Sequence, residues 1–168
     1  MTPPTLHTQR LTLRPMRAED FAAYAAAMAS PRAAGMGGPY DARAAWGMFC
    51  HDTAGWPLFG HGALMVDLRG NGQTLGQVGV NGGPLFPEPE LGWMLYDGAE
   101  GQGYATEAAG ALRDWAFENL PVASLVSYTD PDNHASIRVA QRLGAVRDEQ
   151  AARPEPDDLV WRHTRRMQ

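Results

Sequence analysis

The sequence is short of the features that mark secreted, membrane and nucleic-acid-binding proteins. Its single cysteine, Cys50, excludes an internal disulfide and favours a reducing, cytoplasmic environment. No run approaches the roughly 18 apolar residues of a membrane-spanning helix, so no membrane association is expected. The N-terminus lacks the charged start and apolar core of a signal peptide. The net charge of −5 and the isoelectric point near 5.4 argue against general nucleic-acid binding.

What the chain does contain is enough apolar sequence for one folded domain. It has 168 residues and is 44% hydrophobic, which allows a sizeable buried core. Glycine and proline, with 19 and 13 residues, stay below the level typical of disordered chains. No repeat, low-complexity segment or long linker divides the sequence. We therefore predict that residues 1–168 form a single α+β domain.

Hydrophobic periodicity predicts helices and strands in mixed order. Asp41 is a candidate N-cap for the second helix, and Gly70-Asn71-Gly72 is a strong hairpin turn. Residues 33–40 and 55–60 are predicted to be loops. The predicted strands cover residues 6–17, 63–69, 74–80, 90–96, 122–128, 145–149 and 159–164, and the predicted helices cover 18–28, 41–51, 104–119 and 135–143.

The stretch from Glu90 to Glu107, ELGWMLYDGAEGQGYATE, predicts a strand, a glycine loop and the start of a helix. Gly101 and Gly103 allow a sharp bend and bring main-chain N–H groups close to a ligand. The helix that opens at Tyr104 leaves its first N–H groups unpaired, with the positive end of its dipole at the loop. The pattern is typical of a pyrophosphate site, although a tight turn without a ligand would look the same.

Two common phosphate-binding folds fit this loop poorly. A dinucleotide-binding unit needs a third glycine, where this chain has Thr106, and an acidic residue about 20 positions further on. A Walker loop needs a lysine followed by serine or threonine, which is missing here. A nicotinamide-dependent oxidoreductase is therefore the weakest of the functions considered.

Five separated motifs run through the chain in order. They are RLTLRP at 10–15, GQVGV at 76–80, ELGWML at 90–95, GQGYATEA at 101–108 and NHASIRVAQRLGA at 133–145. Together they resemble the GNAT superfamily of acyl-CoA N-acyltransferases, and more narrowly its branch of ribosomal-protein N-terminal acetyltransferases. The resemblance implies a mixed, mostly antiparallel sheet of about six or seven strands, splayed at its centre and flanked by about four helices.

The resemblance implies acetyl-CoA as co-substrate, with its pyrophosphate on the glycine loop. Its pantetheine arm would lie in a wedge between the strand at 93–95 and the strand at 122–128. Asn133 would contact the cofactor, with capping of the last helix as the alternative reading. Arg142, like Arg138, could reach the 3′-phosphate or simply face solvent. The implied cofactor-binding residues are Trp93, Met94, Leu95, Gly101, Gln102, Gly103, Tyr104, Ala105, Thr106, Asn133 and Arg142.

Two residues are candidates for acid–base catalysis. An acceptor α-amine with a pKa of about 8 is partly neutral at pH 7, so modest help from a base suffices. Glu90 matches the family's glutamate base, with Glu88 beside it, and a solvated rim carboxylate is the alternative for both. Many relatives have a tyrosine that acts as the general acid at the position where this chain has Ala140. Ser136, one turn earlier, is the nearest hydroxyl and could donate to the leaving sulfur or cap the helix.

Glu100 departs from the family pattern, in which arginine or glutamine begins the glycine loop. A carboxylate beside a pyrophosphate is unfavourable by about 1 kcal/mol in water at about 4 Å. We expect Glu100 to point to solvent while the loop binds through its main chain. Replacing it with glutamine should leave acetyl-CoA affinity equal or tighter.

The acceptor stays open at this level. Trp46, Trp56, Phe59 and Trp93 could line an aromatic pocket or pack in the core, and Trp56 is the one expected to be exposed. The histidines show no ligand spacing, so no metal is predicted. The acceptor could be a small-molecule or peptide amine, and the oligomeric state is open, a homodimer included.

The leading prediction is an N-acetyltransferase that moves the acetyl group of acetyl-CoA to a primary amine by direct attack in a ternary complex. The alternative is a non-catalytic acyl-CoA-binding or sensing module, suggested by Glu100 and by the missing tyrosine at Ala140.

Overall fold

The computed structural model describes residues 2–165, which build one mixed sheet of eight strands. The strands are β1 (Leu6–His7), β2 (Leu11–Pro15), β3 (Ala63–Leu68), β4 (Thr74–Asn81), β5 (Glu90–Leu95), β6 (Ser124–Thr129), β7 (Val146–Arg147) and β8 (Leu159–Thr164). Their spatial order is β1-β2-β3-β4-β5-β6-β8-β7, and every neighbouring pair is antiparallel except β5–β6, which is parallel. The predicted fold class is confirmed, with slightly more strands than expected.

Four α-helices flank this sheet within residues 2–165. They are α1 (Phe21–Met28), α2 (Ala42–Phe59), α3 (Tyr104–Asn119) and α4 (His134–Arg142), with short 3-10 helices at Ala18–Asp20 and Pro31–Met36. Asp41 caps α2 as predicted, since its side chain accepts a hydrogen bond from the Ala44 N–H. Gly144 has the positive φ of 78° expected where α4 ends. Along the described part of the chain, no helix has the length and apolarity needed to cross a bilayer.

The sheet buries apolar side chains on both faces. Alternate residues of a strand point to opposite faces, so Leu91 and Met94 of β5 lie on different sides. Leu91 joins the main core, which includes the apolar stripe of α3. Met94 packs against a smaller cluster that contains Tyr24 and Phe49 of the α1–α2 pair. The sheet therefore separates the layer of α1 and α2 from the layer of α3, and β5 contributes side chains to the cores on both faces.

The first predicted strand, residues 6–17, is divided into β1 and β2 by a turn. The Thr8 hydroxyl accepts a hydrogen bond from the Leu11 N–H at 2.9 Å. The Arg10 N–H donates to Glu107 Oε1 at 2.9 Å, far along the chain. Because these two N–H groups have side-chain partners, they cannot continue a strand ladder, and the prediction of one strand was wrong.

The prediction of a loop at residues 55–60 was also wrong, because α2 continues to Phe59. A Cβ at Gly55 would lie 2.5 Å from the His61 carbonyl oxygen, so glycine permits a close crossing of the helix and the following segment. Trp56 is 1% exposed and donates its indole N–H to the Ala63 carbonyl at 3.0 Å. These contacts hold the helix despite Pro57, which lacks an N–H for the intrahelical ladder. The other predicted loop, at 33–40, begins inside the 3-10 helix Pro31–Met36.

Candidate active site

The central feature of the candidate site is the wedge between β5 and β6. Across residues 2–165 a single pair, Glu90 with Val126, joins these two strands, although both continue beyond it. The Leu91 carbonyl faces β6, where it accepts the Ser127 hydroxyl at 2.6 Å. Main-chain groups of a strand alternate sides, so those of Trp93 and Leu95 also face the wedge. The predicted splay at the centre of the sheet is confirmed.

The glycine loop closes one end of this wedge. Gly101 and Gly103 have φ values of 74° and 80°, which side-chain-bearing residues rarely adopt. Gly103 is the N-cap of α3 and supplies no side-chain cap, so the N–H groups of the first turn lack helical partners. Within that turn the Thr106 hydroxyl is buried and has no hydrogen-bond partner in the described chain. Unpaired N–H groups and an orphaned hydroxyl at a helix N-terminus fit an anionic ligand such as a pyrophosphate.

Arg10 supports this loop and was missed by the sequence reasoning. Its guanidinium donates to the Gln102 carbonyl at 2.9 Å and pairs with Glu107 at 2.7 Å. It also lies over the Tyr104 ring, 4.6 Å from the ring centroid. Glu107 has a pKa below its usual value, because hydrogen bonds from Thr8 and Arg10 outweigh its burial. The one available signal was the position of Arg10 at the start of the RLTLRP motif.

The Glu100 side chain is 44% exposed, as expected, but it has an ion-pair partner that the sequence did not indicate. Its carboxylate pairs with Arg32 of the 3-10 helix Pro31–Met36. Arg32 also donates to the Leu95 carbonyl at 3.1 Å and 2.9 Å. The negative charge that breaks the family pattern is therefore balanced by a cation from a distant segment. That cation lies at the end of β5 where the glycine loop begins.

The start of α4 lies beside β5, since Trp93 and Ser136 are hydrogen-bonded. Asn133 caps the helix, with its side-chain oxygen accepting the Ser136 N–H at 3.1 Å. Its amide nitrogen points toward Gly35, where an added Cβ would lie 2.9 Å away. The Trp93 indole N–H donates to the Ser136 hydroxyl at 3.3 Å, which leaves the hydroxyl proton free to be donated. Ala140 is fully buried, so the position of the missing tyrosine faces the core.

Glu88 and Glu90 have opposite environments. Burial raises the pKa of Glu90 to about 7, with Asp158 and Asp52 adding to the effect and a hydrogen bond from Asn81 opposing it. The Asn81 amide donates to the Glu90 carboxylate at 3.1 Å. Glu88 instead accepts two hydrogen bonds from Arg162, at 2.8 Å and 2.9 Å, which keep its pKa below the usual value. Glu90 is the carboxylate that can take up a proton near neutral pH.

Two further groups near Glu90 were missed. Asp52 of α2 accepts the Gln77 amide at 2.8 Å, and burial raises its pKa to about 6. Burial also raises the pKa of Tyr128 to about 12, with Glu90 adding to it. The Tyr128 hydroxyl is buried without a hydrogen-bond partner among residues 2–165. Nothing local in the sequence marks either residue, because both become relevant through the pairing of distant segments.

The remaining predicted residues are not gathered at the wedge. Arg142 lies in the last turn of α4, at the opposite end from Asn133. Trp56, expected to be exposed, is buried against Trp115, with ring centroids 5.4 Å apart. The four candidate aromatic residues have separate partners, which does not favour the aromatic-pocket alternative: Trp46 contacts Phe21 and Phe49, Trp56 contacts Trp115, Phe59 contacts His61, and Trp93 contacts Ser136. Residues 2–165 contain no cluster of histidine, cysteine and acidic side chains that could hold a metal ion.

The model of the protein family "Acetyltransferase (GNAT) domain" matches residues 10–146 of this chain. The chain belongs to the GNAT acetyltransferase family. Acetyl-CoA-dependent acyl transfer is the general reaction of GNAT enzymes, and their acceptors are small-molecule or protein amines.

Several individual proteins are also similar to this chain. An acetyltransferase from Agrobacterium tumefaciens strain C58 is similar, with 58% identity, a TM-score of 0.95 and coverage of 98% of this chain and 96% of that one. A ribosomal-protein alpha-N-acetyltransferase solved with coenzyme A shares the fold, with a TM-score of 0.72, 18% identity and coverage of 94% and 95%. The uncharacterized Bacillus subtilis protein YkkB is 33% identical over 88 residues, 51% of each chain. The match therefore spans about half the length of that curated relative.

Proposed function

We propose that this GNAT protein is an N-acetyltransferase that moves the acetyl group of acetyl-CoA to a primary amine by direct attack in a ternary complex. The observation that carries the proposal is the position of Glu90. Its carboxyl, with a pKa of about 7, begins the strand whose other end leads into the glycine loop. Strand β5 thus has a proton acceptor at its start and the glycine loop after its end. Trp93, between them, presents main-chain groups to the wedge.

The residues around the wedge suit acetyl-CoA, which would supply the activated acetyl thioester. The N–H groups from Gln102 to Ala105 would hold the pyrophosphate. Arg10 would stabilise the loop through its hydrogen bond to the Gln102 carbonyl. The main chain of Trp93 and the N–H of Leu95 would pair with the pantetheine arm as a neighbouring strand does, while the Leu95 carbonyl stays bonded to Arg32. The amide of Asn133, already oriented by capping α4, would add a side-chain contact.

Glu90 and Ser136 have separate roles in this proposal. Glu90 would accept the proton that the acceptor nitrogen loses when it bonds to the acetyl carbon. Ser136 accepts a hydrogen bond from Trp93 and would donate a hydrogen bond to the departing sulfur, which leaves as a thiolate and takes up its proton from solvent. A thiol with a pKa of about 8.5 is a tolerable leaving group, so the contribution of Ser136 should be smaller than that of Glu90. Asp52 adds a second carboxyl on the Glu90 side, which favours a cationic acceptor.

The test is release of free thiol from acetyl-CoA in the presence of a panel of amines, including peptides with free N-termini and diamines. The sequence contains no lysine, so transfer to the enzyme's own side-chain amines cannot contribute to the signal. At least one amine should raise thiol release above background, and Glu90→Gln should lower that rate by about 100-fold or more. Acetyl-CoA affinity, measured by calorimetry, should change less than about twofold.

The catalytic proposal is falsified if no amine raises thiol release while acetyl-CoA still binds. That result would favour the alternative, a non-catalytic acyl-CoA-binding module. Glu88→Gln is the matched control, because it removes a nearby carboxylate that is already paired with Arg162. Its thiol-release rate should remain within about threefold of the unsubstituted protein.

A further inference from the structure

The wedge begins at a defined point of the β5–β6 ladder. The Val126 N–H donates to the Pro89 carbonyl at 3.0 Å, as a parallel ladder requires. In a regular continuation of the ladder, the Tyr128 N–H would donate a hydrogen bond to the Leu91 carbonyl. Instead, the Ser127 hydroxyl donates to the Leu91 carbonyl at 2.6 Å. A side chain of β6 therefore contacts β5 where the main-chain pairing stops.

The Ser127 hydroxyl is held in turn by His163 of β8. The two groups are 2.9 Å apart, from Ser127 Oγ to His163 Nε2. Since the hydroxyl proton is donated to Leu91, His163 must donate from Nε2, which makes Nδ1 the unprotonated nitrogen. Nδ1 is buried and has no partner in the described chain, as a neutral ring with that tautomer allows. Burial and nearby Arg113 lower the pKa of His163 to about 4, so the ring is neutral at physiological pH.

We propose that Ser127 and His163 are positioning residues of the acyl-CoA site: they fix the Leu91 carbonyl where β5 and β6 separate, and so keep the main chain of Trp93 and the N–H of Leu95 open for the pantetheine arm. Both side chains are 2% exposed and neither reaches the wedge surface as a ligand contact. Their effect is on the shape of the β5 edge. The inference rests on the proposed use of acetyl-CoA and extends it to residues outside the family motifs.

Thr129 provides a matched control two residues further along β6. Its hydroxyl accepts the Trp161 indole N–H at 3.0 Å, and it is 3% exposed. This is also a buried hydrogen bond between β6 and β8, but it does not contact β5. Thr129→Val therefore removes a comparable bond without altering the Leu91 carbonyl.

The experiment compares Ser127→Ala with Thr129→Val in the full chain. Acetyl-CoA affinity is measured by calorimetry, kcat and KM by thiol release, and the unfolding midpoint by circular dichroism. Both variants should lower the midpoint by similar amounts. Ser127→Ala should weaken acetyl-CoA affinity by about tenfold and raise the KM for acetyl-CoA, with a smaller change in kcat, whereas Thr129→Val should change affinity less than twofold.

A second comparison tests the histidine. His163→Gln keeps an N–H donor near the Nε2 position and should weaken acetyl-CoA affinity less than His163→Leu, which has none. Nitrogen-15 NMR of the histidine ring should show a neutral Nε2–H tautomer at pH 7. If Ser127→Ala does not fold, Ser127→Cys, with a weaker donor, replaces it in the comparison with Thr129→Val.

Equal losses of affinity in Ser127→Ala and Thr129→Val would overturn the inference, as would unchanged affinity in Ser127→Ala. An Nδ1–H tautomer would overturn the part assigned to His163. Failure of the unsubstituted protein to bind acetyl-CoA would instead overturn the proposed function itself. The two failures are therefore distinguished by the calorimetry of the starting protein.

Discussion

Glu88 and Glu90 stand two positions apart in the sequence, yet their surroundings give them opposite proton affinities. Glu88 lies at the surface beside Arg162 and keeps its charge to low pH. Glu90 lies beside Asn81 of β4 and loses much of its hydration, which favours the protonated form. The residue type is the same, so the difference comes from burial and from the partner that each carboxylate meets.

The pH dependence of catalysis follows from this contrast. We predict that kcat/KM for a weakly basic amine rises with pH through an apparent pKa of about 7, because only ionised Glu90 accepts a proton. Glu90→Gln should remove this limb of the profile together with most of the activity. Steady-state rates between pH 5.5 and 9 measure it. A limb near pH 7 that persists in Glu90→Gln would assign it to another group.

At the scale of elements, α2 shows how a buried side chain overrides a local breaking signal. Proline and glycine at 55–60 predict a loop, but the helix continues because Trp56 is bonded to Ala63 and packed against Trp115. Trp56→Phe should lower the free energy of unfolding by about 1–3 kcal/mol, because the Ala63 carbonyl loses its indole donor. Urea unfolding measures the change.

The control for this prediction is Trp46→Phe on the same helix. Trp46 is 48% exposed and stacks on Phe49, an arrangement that phenylalanine can keep. Its change in unfolding free energy should stay within about 0.5 kcal/mol. Equal effects at the two positions would mean that the bond to Ala63 contributes nothing to stability.

The pairing of Arg32 with Glu100 joins two elements at the entrance of the wedge. With Arg32 present, Glu100→Gln removes a charge that repels phosphate, so acetyl-CoA affinity should be equal or tighter. Arg32→Gln leaves that carboxylate unbalanced and should weaken affinity by about fivefold, the effect of one charge at about 4 Å in water. Calorimetry at low and high salt measures both effects.

Arg147→Gln is the matched control for Arg32→Gln, since Arg147 also pairs with a glutamate, Glu149, but lies on β7 at the sheet edge. It should leave acetyl-CoA affinity unchanged. A large loss of affinity in Glu100→Gln would contradict the placement of the glycine loop at the pyrophosphate.

For the whole molecule, the proposed base is a source of instability. The pKa of Glu90 is raised from its ordinary value of 4.5 to about 7, so the folded state holds a proton that the unfolded state has released. Stability from this group is therefore lost as the pH rises from about 4.5 to 7. This difference in pKa corresponds to a loss of about 3 kcal/mol in the free energy of unfolding at pH values above 7.

Glu90→Gln should consequently stabilise the protein by up to about 3 kcal/mol at pH 8 and by little at pH 4.5, while it lowers turnover. Urea unfolding at the two pH values measures the difference. Glu88→Gln should have the opposite sign, because it removes a carboxylate whose pKa is lowered by Arg162. A stabilisation of Glu90→Gln that is independent of pH would show that Glu90 titrates normally.

Helices and strands with strong periodicity were predictable from local sequence, as was the family that the motifs resemble. The helix Tyr104–Asn119 and the strand Leu159–Thr164 were predicted with the bounds that the structure has. Capping by Asp41 and the glycine end of α4 were also predictable, because these signals act between residues a few positions apart.

The chemical environment of the candidate site residues depends on contacts between distant segments. Arg10 and Glu107 are 97 positions apart, Arg32 and Glu100 are 68 apart, and Ser127 and His163 are 36 apart. Proton affinity and hydrogen bonding depend on the groups that surround a side chain in space, and chain folding brings those groups from distant segments. Local sequence therefore specified the glycine loop and the strand before it. Long-range packing made the pKa of Glu90 differ from that of Glu88 and buried Trp56.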